Sequence, residues 1–409
     1  MPLKRKKIIL YSALAILSIL FAVLSINKGK HADVNGDYFI YYKAGKDFIE
    51  GHKIYTPGLE DGGFVYPPFA AMLYSAFALL PLNISAILYC FLINYGLWIA
   101  SFILIRKIIK ELYPDYNADV PILLAFLFSF RFYWHNFIWL QGNMPVLCFT
   151  LAGILFFIRK KYNLSYLFLL AGCFFKITPV IFLFFAAIKR GPKDWPKIIL
   201  LALPFIFVPF IFRGLSIGYK DWFDYYEAFV APFSKGKVDE NIISLGIPAI
   251  LNKLNTGSTE LNIQALLNLP AGTLKIIISA IQLLALGSLI GKLFYDRYVK
   301  KVELFSGTEL CLIFLITLLL PGRVWEHHHV TTGFIYAFTF VLLLKTNQRK
   351  LYYVLIAFCF IVDITGKDTL GERLYHLSQY YGLITLLMIF ITIILTRTIW
   401  LKKPAALSK

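Results

Sequence analysis

A membrane-embedded bundle of α-helices, about twelve spans with two long loops on one side, is the fold class the sequence predicts. Three observations predict it. Hydrophobic residues fill 59% of the 409 positions and charged residues only 16%, where a soluble domain carries roughly 25% charged residues. The apolar residues come in uninterrupted runs able to cross a hydrocarbon core of ~30 Å, which takes about 20 helical residues. The period-two alternation of a membrane β-barrel is missing. A mean hydropathy of +0.69 agrees.

The predicted spans are 8–26, 64–80, 84–105, 120–138, 143–158, 164–188, 197–213, 272–294, 304–320, 330–344, 351–364 and 380–398. The first follows a basic start but lacks a small-residue cleavage pattern, so it reads as a retained span rather than a signal peptide. With the N-terminus inside, the back half alternates cleanly: 189–196, 295–302 and 345–350 are basic and inside, and 214–271, 321–329 and 365–379 lie outside. The middle breaks the rule, because simple alternation puts Arg106-Lys107 and Arg159-Lys160-Lys161 outside. One way round is that 164–188, with Lys176 and Pro179 at its centre, is two half-helices that enter and return. The topology of 106–190 stays open.

The net charge of +18 raises nucleic acid as a partner, but the basic residues sit at the ends of apolar runs. Lys4 to Lys7, Lys189-Arg190, Arg297 with Lys300-Lys301, and Lys402-Lys403 follow the positive-inside rule and attraction to anionic lipid. Membrane lipid, not nucleic acid, is the expected partner. The cysteines, 90, 148, 173, 311 and 359, all lie in apolar segments with no pairing or zinc spacing and read as small buried hydrophobes. The chain is expected to form one integral membrane domain over 1–409. Its exoplasmic loops, 27–63 and 214–271, are too long for connectors and carry short amphipathic stretches at 38–49 and 241–254.

Chemistry concentrates in the first loop, Asp33-Val-Asn-Gly-Asp37-Tyr followed by Gly51, Tyr55 and Tyr66-Pro67-Pro68. A partly desolvated carboxylate at the membrane surface gains basicity and suits proton abstraction. The bland alternative is Asp37 as the cap of a helix that starts at Tyr38. Lys176, inside an apolar segment, costs several kcal/mol without a partner and marks a site, the plainer alternative being a lysine that snorkels or pairs with a carbonyl. His327-His328-His329 tempts a metal, but consecutive histidines on one helix diverge, and zinc helices prefer i, i+4 spacing. No metal or cofactor is implied, although a divalent-metal requirement is left open. Tyr66, Trp139 and Trp325 stand where aromatic faces could stack on sugar, against the simpler reading as core or interface.

The pattern Asp–x3–Tyr–x2–Ala/Gly…Gly–x3–Tyr…Tyr-Pro-Pro resembles glycosyltransferase family 87. Gln141-Gly-Asn143 is similar to its Gly-Gln-x-Asn segment with the first two residues swapped. Ala171-Gly-Cys-Phe-Phe-Lys176-Ile-Thr-Pro179 is similar to its Ala-Gly…Lys-x-x-Pro segment, and Trp325-Glu-His327-His328 to its Trp-x-His-His segment. Arg323 stands where that pattern has a small hydroxyl residue. The matches run from 33 to 329.

The resemblance implies a GT-C-type bundle and an inverting transfer of a hexose, mannose above all, from a polyprenyl-phosphate carrier. The acceptor would be a lipid or a glycan, at the outer face of a bacterial plasma (inner) membrane. It implies Asp37 as general base, with Asp33 as the alternative. Lys176, His327, His328 and Arg323 would hold phosphate or sugar, with Tyr66, Gln141, Asn143 and Asn241 also at the site. The chemistry agrees: a lipid phosphate is already a good leaving group, so one base and charge stabilisation suffice. Absence of a Gly-rich phosphate loop disfavours a nucleotide-sugar donor. Two other classes remain. A transporter or flippase calls for paired midplane charges or inverted repeats, and a lipid-linked glycan polymerase or ligase calls for arginine-dominated outer loops.

Overall fold

The computed structural model describes residues 3–31, 36–56, 63–234 and 238–401. Among them the chain is helical throughout, with one isolated antiparallel bridge between Ser258 and Ile263. The helices are α1 (Leu3–Lys30), α2 (Tyr38–Glu50), α3 (Pro68–Ala78), α4 (Leu82–Leu112), α5 (Asp119–Ile138) and α6 (Asn143–Ile158). They continue with α7 (Tyr162–Phe175), α8 (Val180–Arg190), α9 (Pro192–Arg213), α10 (Leu215–Tyr225), α11 (Ile247–Thr256) and α12 (Ala271–Val299). The last five are α13 (Gly307–Leu319), α14 (Thr332–Lys345), α15 (Arg349–Ile364), α16 (Lys367–Tyr380) and α17 (Leu383–Leu401).

Three of these, α4, α9 and α12, are long and apolar enough to cross a membrane, and α16 with α17 makes a fourth if their 48° bend is taken as one span. Four further apolar helices, α3, α6, α7 and α13, are shorter than a full span. Local chemistry explains the shortening. Proline at 67 and 68 opens α3, where a missing N–H costs nothing. The expected span 164–188 is in fact two helices: Lys176 is extended (φ −153°, ψ 129°) and Pro179 precedes α8. The expected loop at 365–379 is largely helix α16, interrupted at Gly371, whose φ is +74°. The amphipathic stretch 38–49 is α2, whereas of 241–254 only the part from 247 on is helix, in α11.

Helix α14 is the centre of the core, buried on nearly every face from Thr332 to Val341, and it packs against α4, α5, α13 and α15. Helices α9 and α12 are mostly exposed on apolar side chains, which suits a lipid-facing wall. One end is cross-braced by ions. Buried Lys189 donates to Glu309 Oε1 at 2.8 Å, and the other Glu309 oxygen accepts the Ser306 N–H in a capping box that starts α13. Arg190 and Arg297 both hold Glu303, and Lys292 holds Asp296. Lys189, Arg190 and Arg297 read from sequence as markers of the positive-inside rule, yet here they are spent on carboxylates.

Candidate active site

The site is assembled where the start of α2, the α5–α6 connection, the α7–α8 break and the 321–328 segment meet. Gly36 takes φ +85°, and a Cβ there would lie 2.6 Å from the Trp139 carbonyl. That approach lets the Asp37 N–H donate to the same carbonyl at 3.0 Å. Asp37 immediately precedes α2 but makes no side-chain cap bond; its carboxylate instead accepts from Gln141 Nε2. The capping alternative therefore fails on geometry. Tyr41 donates to Gln141 Oε1 at 3.0 Å and sits 3.0 Å from the Tyr66 hydroxyl, which fixes the amide orientation.

Lys176 leaves the α7–α8 break and donates to Asn143 Oδ1 at 2.8 Å. Its Nζ lies 3.1 Å from His328 Nε2 and 5.4 Å from the centre of the Tyr66 ring. His328 Nδ1 lies 2.9 Å from the Trp325 backbone nitrogen and 3.3 Å from the Trp325 carbonyl. Arg323 stacks over the Trp325 ring at 4.6 Å, and the Trp325 indole donates to Asp239 at 2.7 Å. Beneath the 326–331 turn, Glu326 accepts from Arg131 and is approached by Tyr375 and Gln379 at 3.3 and 3.4 Å.

These groups surround a cavity of about 960 Å³. Asp37, Tyr66, Gln141, Lys176, Arg323, His327 and His328 all line it, as does one face of α12 through Lys275, Ser279 and Gln282. Burial raises the Asp37 pKa above the usual carboxylate value of 3.8; the Gln141 bond and the charges of Lys176 and Arg323 pull it part of the way back. Burial also pushes His327 and His328 well below 6.5, with neighbouring His328 and Lys176, respectively, adding to it, so both are neutral at pH 7. The cavity thus pairs one carboxylate of raised basicity with a wall of cationic and neutral hydrogen-bonding groups.

Eight of the ten residues expected from sequence come together. Asn143 stands just behind the wall, bonded to Lys176. Asn241 stands apart: it is exposed, and its Oδ1 accepts the Ile243 N–H in its own turn. Asp33 lies outside the described residues. Trp139 contributes only its carbonyl and does not line the cavity. Tyr41, the tyrosine of the Asp–x3–Tyr pattern, was given no role of its own from sequence. Asn136, Asp239 and Arg131 were missed as site residues, because they looked like ordinary members of a helix or loop.

Among the described residues one group could hold a metal ion, Asp47, Glu50 and His52, whose ligand atoms lie within 4.8 Å of one another. It sits at the far end of α2, largely exposed, and does not line the cavity.

No curated protein and no solved structure matches the chain. The family model of glycosyltransferase family 87 matches residues 64–321, well over half of the sequence. Tyr66, Gln141, Asn143 and Lys176 fall inside that stretch, whereas Asp37, Arg323, His327 and His328 lie outside it and are joined to it by the fold. The chain belongs to glycosyltransferase family 87 and is a glycosyltransferase with membrane-type helices.

Proposed function

We propose that the enzyme is an inverting hexosyltransferase of the GT-C type, taking mannose from a polyprenyl-phosphate carrier and passing it to a lipid or glycan acceptor. It would work at the outer face of a bacterial plasma membrane, as one membrane domain. About twelve membrane segments follow if the short apolar helices are paired or tilted spans. The observation that carries the reading is one carboxylate of raised pKa facing Lys176, Arg323, His327 and His328 across a single cavity.

The chemistry is one displacement. Asp37 takes the proton of the acceptor hydroxyl as its oxygen forms the bond to the sugar C1. The bond from C1 to the phosphate oxygen breaks on the opposite face, and its electron pair leaves with the polyprenyl phosphate. The departing charge meets the Lys176 ammonium and the Arg323 guanidinium, where preorganised cations are worth most. Neutral His327 and His328 offer hydrogen bonds to phosphate or sugar without adding charge. A phosphate leaving group needs no general acid, which accords with a single carboxylate among the described cavity-lining residues. Glycosidases, by contrast, use a pair.

The test is sugar transfer by purified protein in lipid nanodiscs, offered radiolabelled polyprenyl-phosphate-mannose or a nucleotide-linked mannose, across lipid and glycan acceptors. Transfer from the lipid phosphate alone supports the reading. Transfer from the nucleotide sugar with no carrier present overturns the donor class.

A further inference from the structure

Lys176 is held in an unusual way for a cation at the end of an apolar helix. None of the described carboxylates forms an ion pair with it; its hydrogen-bond partners are the Asn143 amide oxygen and the His328 ring. What turns the Asn143 oxygen toward Lys176 lies one layer deeper. Both hydrogens of Asn143 Nδ2 are engaged, one by the His327 carbonyl at 3.0 Å and one by Asn136 Oδ1 at 3.1 Å. With both donors spent, the only group left for Lys176 is the oxygen.

Asn136 is in turn oriented by its own donor. It is 1% exposed, in the last turn of α5, and its Nδ2 donates to Asn94 Oδ1 at 2.6 Å and reaches toward the Gln141 carbonyl at 3.5 Å. The Asn136 carbonyl also accepts the Gln141 N–H at 3.0 Å, which anchors the segment carrying the Asp37 partner. Three amides from three helices therefore form one polar chain, Asn94 to Asn136 to Asn143, that ends on Lys176. A reversed Asn136 would set its NH2 against that of Asn143, so in this dry setting the orientation is a single state.

We propose that Asn136 is a positioning residue for the transfer reaction. Acting through Asn143, it holds Lys176 with a neutral oxygen, so that no bonded carboxylate offsets the positive charge presented to the donor phosphate. A carboxylate in the same place would neutralise the lysine and repel the phosphate; the amide chain gives the hold without the charge. The proposal rests on the donor reading above.

The experiment is a double-mutant cycle. Asn136→Leu and Lys176→Met, singly and together, are purified in nanodiscs. Each is measured for binding of a short-chain polyprenyl phosphate and for kcat and KM in transfer. Asn136→Leu is expected to weaken probe binding and raise the donor KM about tenfold, a ~1.4 kcal/mol change, while the acceptor KM stays within about twofold. In the Lys176→Met background the same substitution should change nothing further. Because Asn136→Leu could fail to fold, Asn143→Asp serves as a second variant; it should also weaken probe binding by placing a carboxylate on Lys176. Unchanged probe binding in either variant, or effects of Asn136→Leu and Lys176→Met that simply add, overturns the proposal. Wild-type protein that neither binds the probe nor transfers sugar removes the donor reading, and this proposal with it; wild type that binds while the effects add removes this proposal alone.

Discussion

Asp37→Asn separates a catalytic carboxylate from a structural one, because the structure assigns the two roles opposite signs in stability. Asparagine keeps the side-chain shape and an oxygen for the Gln141 Nε2 donor, so the cavity should keep its form. It cannot accept the acceptor proton. A positioned general base contributes typically 10²–10⁴-fold, which is about 3–5 kcal/mol of barrier, and kcat should fall by that factor. Donor affinity should hold or improve, since a negative charge facing the phosphate is gone. Burial raises the folded-state pKa of Asp37 above its ordinary 3.8, so the folded protein holds that proton more tightly than the unfolded chain does. The stabilisation from this group is present below 3.8 and is lost as pH rises through the folded pKa. At neutral pH the ionised carboxylate is therefore a burden, and its removal should leave the thermal midpoint equal or higher. The wild-type rate should rise with pH through the same pKa, above 3.8, and the variant should lack that limb. The assay is transfer kinetics from pH 4 to 8 with thermal unfolding on the same preparations. Transfer retained within tenfold of wild type would refute the assignment of the base. A midpoint that drops by many degrees would make Asp37 structural.

Three other perturbations follow from particular contacts. Glu326→Gln leaves the Arg131 guanidinium, only 12% exposed, with a neutral partner; breaking a buried pair from one side costs about 3–5 kcal/mol, read as a lowered unfolding midpoint with reduced donor affinity as the histidine turn shifts. Lys253→Met removes three donated hydrogen bonds, to the carbonyls of Ile242, Ser244 and Gln379 at 2.7, 2.8 and 2.9 Å. Each orphaned buried acceptor costs roughly 1–3 kcal/mol, offset in part by no longer burying an ammonium, so thermal unfolding should show a net loss of about 3 kcal/mol. Gly36→Ala forces a side chain onto φ +85° and to within 2.6 Å of the Trp139 carbonyl. The resulting displacement of Asp37 should cut kcat roughly tenfold or more, with far less change in donor binding; wild-type kcat would show that the approach of Gly36 to Trp139 is not needed.

What the sequence made legible depended on the range of the interaction that decides each feature. Apolar runs announce helices because burial is a property of the run itself, and the amphipathic stretches became α2 and, from 247 on, α11 for the same reason. The break at Lys176 to Pro179 was visible because proline and a charge disrupt an apolar helix locally. The direction of the Asp37 side chain was not visible: local rules offered it the α2 cap, and a donor on Gln141, 104 positions away, won. Asn241 is the converse, an expected site residue whose Oδ1 accepts the backbone N–H two residues along its own chain. Arg131 and Asn136 sit in the helix Asp119–Ile138 among apolar neighbours, and nothing in their spacing names Glu326 or Asn143 as partners. Positive clusters such as Lys189-Arg190 satisfied a topology rule while also pairing with Glu309, Asp194 and Glu303.

The same distinction explains how the active site divides along the chain. Residues 64–321 match the family and contain Lys176, the proposed donor-side cation, and the amides bonded to it. The candidate base comes before this stretch, and the arginine and histidines come after it. Neither flank has the groups for a transfer alone: a carboxylate without a phosphate-binding wall cannot direct a leaving group, and that wall without a base leaves the acceptor hydroxyl protonated. Gln141 and Asn143, two positions apart at the start of α6, connect the two flanks. Gln141 bonds Asp37 on one side, and Asn143 bonds the His327 carbonyl and Lys176 on the other. A shift of α6 along its axis would therefore move the base and the phosphate wall together, keeping their relative geometry. Substitutions in Gln141 and Asn143 should accordingly uncouple kcat from donor KM in opposite senses: Gln141→Leu should lower kcat, and Asn143→Leu should raise donor KM. Equal effects of both on one parameter would refute that division of labour.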